Sequence, residues 1–347
     1  MRRLCTAFTL LCAATAASTS LGQAQQAPQP AQQACPPLKQ VGVIKLERTD
    51  RGLWLVPVTI NGKPMKLKFQ TGAPTTTLTS AAAKTLGLKS FQKAGQGFYT
   101  YGSAVSLGFV NVGALVLDNV GQFNNSDLML MNLPTIGGTS TDDEAAGELG
   151  LDILTHFDFD MDFSTGTVNL FSLNHCDGQV VYWKTAGAVA IPFQYDTLGR
   201  IRVEVKLDGT VYGPMTATFS SFNQHNGLST GFADYYFNFK KLDAEKVPNE
   251  EGWANITYRH RFGTLDLGGL QIGNFAMDVW DYKPLGSGGY QSDHFLKKSL
   301  DPSFGVSQLP HKVVEPAILE VGLDTMSKLH IYVASKEHKL YISPAGQ

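Results

Sequence analysis

Apolar residues recur at every second position along much of this chain. In "WLVPVTI" (54–60), Trp54, Val56, Val58 and Ile60 alternate with Leu55, Pro57 and Thr59. In "IRVEVKL" (201–207), Ile201, Val203, Val205 and Leu207 alternate with Arg202, Glu204 and Lys206. A period of two marks a half-buried strand. Each run meets a dipeptide that favours left-handed backbone, Asn61-Gly62 or Asp208-Gly209, and then a second strand, so two tight hairpins are predicted. Helical patterning is scarce. "SAAAKTLG" (80–87) predicts one helix, Ala-rich and stopped by Gly87. "GLDIL" and "GLDTM" each predict a single helical turn beside a sheet, and the chain as a whole reads as all-β.

The strand pattern occurs twice. "VPVTINGKPMKLKFQTGAPTTTLT" (56–79) is matched by "VEVKLDGTVYGPMTATFSSFNQHNGLS" (203–229), with Phe69 and Phe219 ending the second strand at an offset of 150. "LGFVNVGALVLDNV" (107–120) aligns with "LGGLQIGNFAMDVW" (267–280) at an offset of 160, and "GLDILTHFDFDMDFSTGTVNLF" (150–171) with "GLDTMSKLHIYVASKEHKLYIS" (322–343) at 172. Preserved order over three segments implies two homologous lobes, 40–176 and 186–344, joined by a linker at 177–185.

Composition narrows the setting. The chain has 347 residues and a formal net charge of −2, enough length for two cores, with no basic stripe of the kind nucleic-acid binding needs. Arg2 and Arg3, the apolar run Leu4–Ala17 and the small residues Gly22 and Ala24 predict a signal peptide over 1–24. A retained anchor is the alternative, but the run is short for a span. A Gln/Ala/Pro-rich linker follows over 25–39, too polar to fold alone. Export to the periplasm or the extracellular space is therefore expected, with no membrane span after cleavage. Cleavage leaves Cys35 and Cys176, a disulfide candidate in an exported protein, whose long loop gives ~4–5 kcal/mol in the chain-entropy model. Two distant cysteines without clustered histidines predict no zinc site, and nothing in the sequence calls for a cofactor. "NNS" (124–126) and "NIT" (255–257) are sugar-acceptor sequons that matter only in a glycosylating host.

Strand, Asn-Gly turn, strand, "FQTGAPTTTLT", "SAAAKTLGL" and later "GELGLDIL" together resemble the retropepsin-like aspartyl proteases, in particular the secreted bacterial type with two copies per chain. The resemblance implies a bilobal acid-protease fold, a monomer with an internal pseudo-dimer and an extended peptide as the bound partner. It also implies one Asp-Thr/Ser-Gly elbow per lobe, the paired carboxylates sharing a proton, and a Gly-rich flap over the cleft. Residue by residue, the first elbow is Gln70-Thr71-Gly72 and the second Ser220-Ser221-Phe222. The bracing hydroxyls survive as Thr71 and Ser221, the glycine survives once as Gly72, and both acids are absent. Ala73 and Asn223 follow the elbows on the cleft side. "AGQGFYTYG" (94–102), with Gly97, Phe98 and Tyr99, matches the flap, or is an ordinary exposed hairpin.

An amide does not titrate and a lone hydroxyl is no acid, so neither Gln70 nor Ser220 can activate water. Phe222 would fill space that the family glycine leaves open. A non-catalytic peptide-binding pseudoprotease is the leading expectation. The alternatives are an active endopeptidase with a shifted acid and an assembly protein using an outer surface. Ser220 with His225 suggests a nucleophile and base, against a bracing hydroxyl and an unrelated histidine. Asp152 and Asp324 suggest a displaced dyad, against helix capping. His156, Asp158, Asp160 and Asp162 share one strand face, which is read as a solvated face opposite Phe157, Phe159, Met161 and Phe163 rather than a metal site.

Overall fold

The structure, a computed structural model, describes residues 35–50, 52–93, 100–101, 104–131, 135–136, 139–140, 145–196, 199–209, 215–221, 223–229, 233, 237, 243–247, 254–282 and 319–345. The expected signal peptide and most of the expected linker lie outside these residues, as do Gly97, Phe98, Tyr99 and Phe222. Residues from Pro36 onward fall in one unit.

Alternating apolar positions build two six-stranded barrels. In the first, Trp54–Ile60 pairs with Lys63–Phe69, which runs parallel to Gly147–Leu149, and Thr77–Leu78, Gly121–Met131 and Ala104–Leu117 complete the circuit. Ile60 closes the ring on Leu115. The second barrel repeats that order with Ile201–Leu207, Met215–Phe219, Leu319–Val321, Gly227–Ser229, Leu270–Tyr282 and Ala254–Leu267. Leu207 closes it on Leu265. The fold is thus the bilobal aspartic-protease fold. The first expected tight turn forms, Asn61 (φ 49°) and Gly62 (77°) linking Ile60 to its partner Lys63. In the second lobe Asp208 (49°) and Gly209 (64°) are also left-handed, but the register pairs Val205 with Met215, so the connection there is longer than a two-residue turn and runs outside the described residues. The helix Ser80–Leu86 forms too, with Thr79 Oγ1 accepting from Ala82 N at 3.1 Å and Gly87 left-handed at its end.

A six-stranded array joins the lobes, and its last strand, Val189–Tyr195, also pairs with Ile201–Leu207 of the second barrel. Its order is Gln40–Lys45, Thr167–Phe171, Asp158–Asp162, Leu329–Ala334, Lys339–Pro344 and Val189–Tyr195, three strands from each half. The halves meet where Asp160 faces Tyr332 across an antiparallel pair. Cys35 and Cys176 are disulfide-bonded, as the cysteine count predicts. No helix among the described residues is long and apolar enough to cross a membrane.

Two sequence readings are corrected. The segment 107–120 lies mostly in the first strand of its hairpin, whereas 267–280 spans the turn and the second strand. The barrel pairings instead match Ala104–Leu117 to Ala254–Leu267, keeping the offset at 150 until the hairpin turn. The shared Leu-Gly dipeptide produced the wrong alignment. The Asp158/Asp160 face is also not solvated: both carboxylates are fully buried. Alternation reveals two faces but not what covers each of them, and here the chain crossing between the lobes lies over the second. His175 Nε2 sits 2.6 Å from Asp158 Oδ2, Tyr332 and the Ser335 amide also reach Asp158, and the Tyr182 hydroxyl donates to Asp160. Trp183 stacks on His330 at 4.1 Å and donates to Ser343 Oγ. Among the described residues no cluster of three or more His, Cys, Asp or Glu side chains could hold a metal.

Candidate functional site at the lobe interface

Each elbow is the end of a strand clamped by a parallel neighbour. Gln70 N donates to Leu149 O at 3.1 Å, and Ser220 N to Val321 O at 3.0 Å. The neighbour then turns through a glycine, Gly150 or Gly322. A Cβ on Gly150 would stand 2.5 Å from the Thr75 carbonyl carbon, and one on Gly322 2.3 Å from His225 O. Only glycine permits the close crossing that holds each elbow in shape.

The elbows grip each other reciprocally. Thr71 Oγ1 donates to Phe219 O at 2.8 Å and accepts from Ser221 N at 3.1 Å. Ser221 Oγ donates to Phe69 O at 2.6 Å and accepts from Thr71 N at 3.0 Å. All four bonds are buried and cross between lobes, and each hydroxyl both donates and accepts.

Gln70 and Ser220 meet inside that grip, each only 1% exposed. Gln70 Oε1 accepts from Gly72 N at 3.0 Å, so the amide folds back on its own elbow. A Cβ on Gly72 would lie 2.9 Å from Ser220 Oγ and 3.3 Å from Gln70 Oε1, which brings the three groups together. Among the described residues Ser220 Oγ has no hydrogen-bond partner. The nucleophile–base pairing with His225 therefore does not form; His225 Nδ1 lies 2.6 Å from Asp324 Oδ2 instead. Ala73 and Asn223 flank the pair, their carbonyls accepting from Leu151 N and Leu323 N.

Asp152 and Asp324 stand in the first helical turn and are not the N-cap residues, although Asp152 Oδ1 accepts from the first-turn amide of Ile153 at 3.0 Å. The N-cap positions of the helices Leu151–Leu154 and Leu323–Met326 are Gly150 and Gly322, neither with a side-chain bond. The carboxylates brace the turns after the elbows: Asp152 accepts from Thr76 N at 2.8 Å and Thr76 Oγ1 at 2.6 Å, Asp324 from Gln224 Nε2 at 2.6 Å. Burial pushes the Asp152 pKa up against those bonds. For Asp324 the His225 and Gln224 bonds outweigh burial and hold it below the usual carboxylate range.

Sequence reading missed a second pair of acids. Glu148 and Glu320 occupy matching places, each two residues before the crossing glycine and in register with a strand that ends in an elbow. Burial pushes both carboxyls above the ordinary range; Lys68 partly opposes this at Glu148, and Arg200, Asn223 and Arg202 at Glu320. Asn223 Nδ2 donates to Glu320 Oε2. The register partners Thr77 and Thr218 each bury a hydroxyl with no partner among the described residues. The signal was present as "ELG" and "EVG", a recurrence just ahead of the repeat boundary drawn at Gly150 and Gly322.

No described carboxylate hydrogen-bonds to Gln70 or Ser220. Fold and elbow geometry together define an aspartyl-protease-like protein. Residues 56–153 match the family model described as aspartyl protease, which supports the retropepsin-like aspartyl protease family. No curated protein matches the chain.

Proposed function

We propose that this protein is an exported pseudoprotease that holds an extended peptide between its lobes without cutting it. The signal peptide (1–24), linker (25–39), lobes (40–176 and 186–344) and joining segment (177–185) belong to that reading. The observation that carries it is the interface itself: the reciprocal grip is complete while Gln70 and Ser220 occupy the acid positions. Losing both groups removes ~10²–10⁴-fold of catalysis for each. Strand addition to a sheet edge supplies backbone affinity without chemistry. Among the described residues the Ser220 hydroxyl, beside Gly72, has no partner, and in this reading a bound peptide supplies one.

A peptide-array screen with the purified protein tests this, read beside hydrolysis of an unfolded protein from pH 3 to 8. Saturable peptide binding without turnover is expected. Absence of any peptide ligand, together with unchanged cellular function in Gln70 and Ser220 variants, overturns it. One observation favours a second reading, an endopeptidase with shifted acids: Glu148 and Glu320 recur symmetrically with raised pKa values. That reading requires acid-pH cleavage that disappears in Glu148→Gln and Glu320→Gln.

A further inference from the structure

Away from the interface, the second lobe carries a pocket of about 470 Å³ whose charged lining is Arg259, Arg261, Lys328, His225, Asp278 and Asp324. Both acids are engaged. Asp278 is held by Arg259 through Nε at 2.7 Å and Nη2 at 3.0 Å, and Asp324 by His225 and Gln224. Among the described residues Arg261 and Lys328 have no carboxylate within ion-pair distance, although the Lys328 charge helps to lower the Asp324 pKa. Two cations in one concavity, with the nearby carboxylates already committed, leave a local positive excess.

The first lobe shows that the fold does not require this. At the place of the Arg259–Asp278 pair it has Phe109 facing Met129, both buried. Where Arg261 stands, it has Asn111, which donates to its cross-strand neighbour Asp127 at 2.8 Å. The cross-strand neighbour of Arg261 is Ala276. A cation has thus been placed in the second lobe and its acidic partner left out, and Lys328 lines the same pocket.

We propose that this pocket binds an oxyanion, a carboxylate or phosphate group, between the Arg261 guanidinium and the Lys328 ammonium, with the Asp278-anchored Arg259 as a fixed wall. A guanidinium offers parallel N–H donors to two oxygens and the ammonium adds a point charge. Arg259, held along one guanidinium edge by both oxygens of the Asp278 carboxylate, loses little further freedom when an anion arrives.

The test is isothermal titration of the full chain with inorganic phosphate and, separately, acetate, at constant ionic strength set by chloride. One saturable site for at least one anion is expected, weakened ~10-fold or more in Arg261→Ala/Lys328→Ala, the loss expected when charge-assisted bonds are removed. Saturation by phosphate alone or by acetate alone identifies the group. Arg261 and Lys328 are exposed, so the melting temperature should hold in the double variant, and Arg261→Gln alone should give part of the loss. No saturable site for either anion overturns the proposal. So does wild-type affinity in the double variant, or an equal loss in Lys84→Gln on the other lobe, which would mean nonspecific charge. Peptide binding at the interface should survive in the double variant, so the two proposals fail separately.

Discussion

Met129 and Asp278 hold the same place in the two lobes. Each faces the long hairpin's first strand, at Phe109 or Arg259, and each runs parallel to the short strand after its elbow, at Thr77 or Gly227. One position belongs to an apolar cluster of Phe109, Met129 and Met131. The other is half of an ion pair lining an open pocket. By contrast the crossing glycines, the gripping hydroxyls and the buried glutamates match between lobes. Constraint is strongest where the lobes touch, because a change there must be accommodated by both; the outer walls answer only to their own surroundings.

The largest way to probe this contrast is Phe109→Ala, expected to cost ~3–5 kcal/mol by emptying a packed site. Replacing the whole counterpart pair, Arg259→Met with Asp278→Leu, should be near neutral or stabilising by ~1 kcal/mol or more, because a partly buried ion pair gains little over packed side chains. Equal losses in denaturant unfolding would break the distinction between the walls. Next in size is the grip: Thr71→Val and Ser221→Ala should each cost ~2–4 kcal/mol, since each strands a buried backbone amide and carbonyl. A large effect at one and none at the other would show that the interface is not shared evenly.

Ser220→Ala should act the other way. Its hydroxyl is buried and unpartnered, so its removal should stabilise the ligand-free protein by ~1 kcal/mol and weaken peptide binding. Destabilisation would mean that the hydroxyl is paired in solution. The smallest effect concerns His225, a histidine with no counterpart in the first lobe, where Thr75 precedes Thr76. The Asp324 bond raises the His225 pKa and His225 helps lower that of Asp324. A raised histidine stabilises below its unfolded pKa and loses that effect as pH climbs through the folded one. A depressed carboxylate stabilises above its unfolded pKa and loses that effect as pH falls through the folded one. The pair therefore contributes between the ordinary carboxylate and histidine ranges. His225→Gln should cost only ~0.5 kcal/mol near pH 5, because partial exposure screens the pair, and less at pH 8. A pH-independent cost would point to packing rather than charge.

Much of this was legible in the chain. Period-two apolar spacing, the Asn61-Gly62 and Asp208-Gly209 turns, the Thr79-to-Gly87 helix and both degenerate elbows could be read directly, because each depends on local backbone preference or on residue type. What failed depended on distant packing. Asp158 and Asp160 look solvent-facing until the segment carrying His175 and Tyr182 is known to lie over them. Glu148 and Glu320 look like ordinary strand acids until their parallel neighbours bury them. The hairpin register slipped by ten residues because a two-residue identity outweighed a strand-long pattern.

The joining sheet sets a limit on how this protein can be divided. Phe159, Asp160 and Met161 pair with Val333, Tyr332 and Ile331 from the other half. A gene fragment ending near residue 185 would leave that ladder with bare amides and carbonyls along an edge strand that also carries the apolar side chains of Phe159 and Met161. Two such fragments could cover one another about the same axis. Sedimentation of the fragment should show a twin-chain particle or precipitation, and a well-behaved single half would be the surprise. The duplication, once fused, is therefore a commitment: neither copy keeps a life of its own.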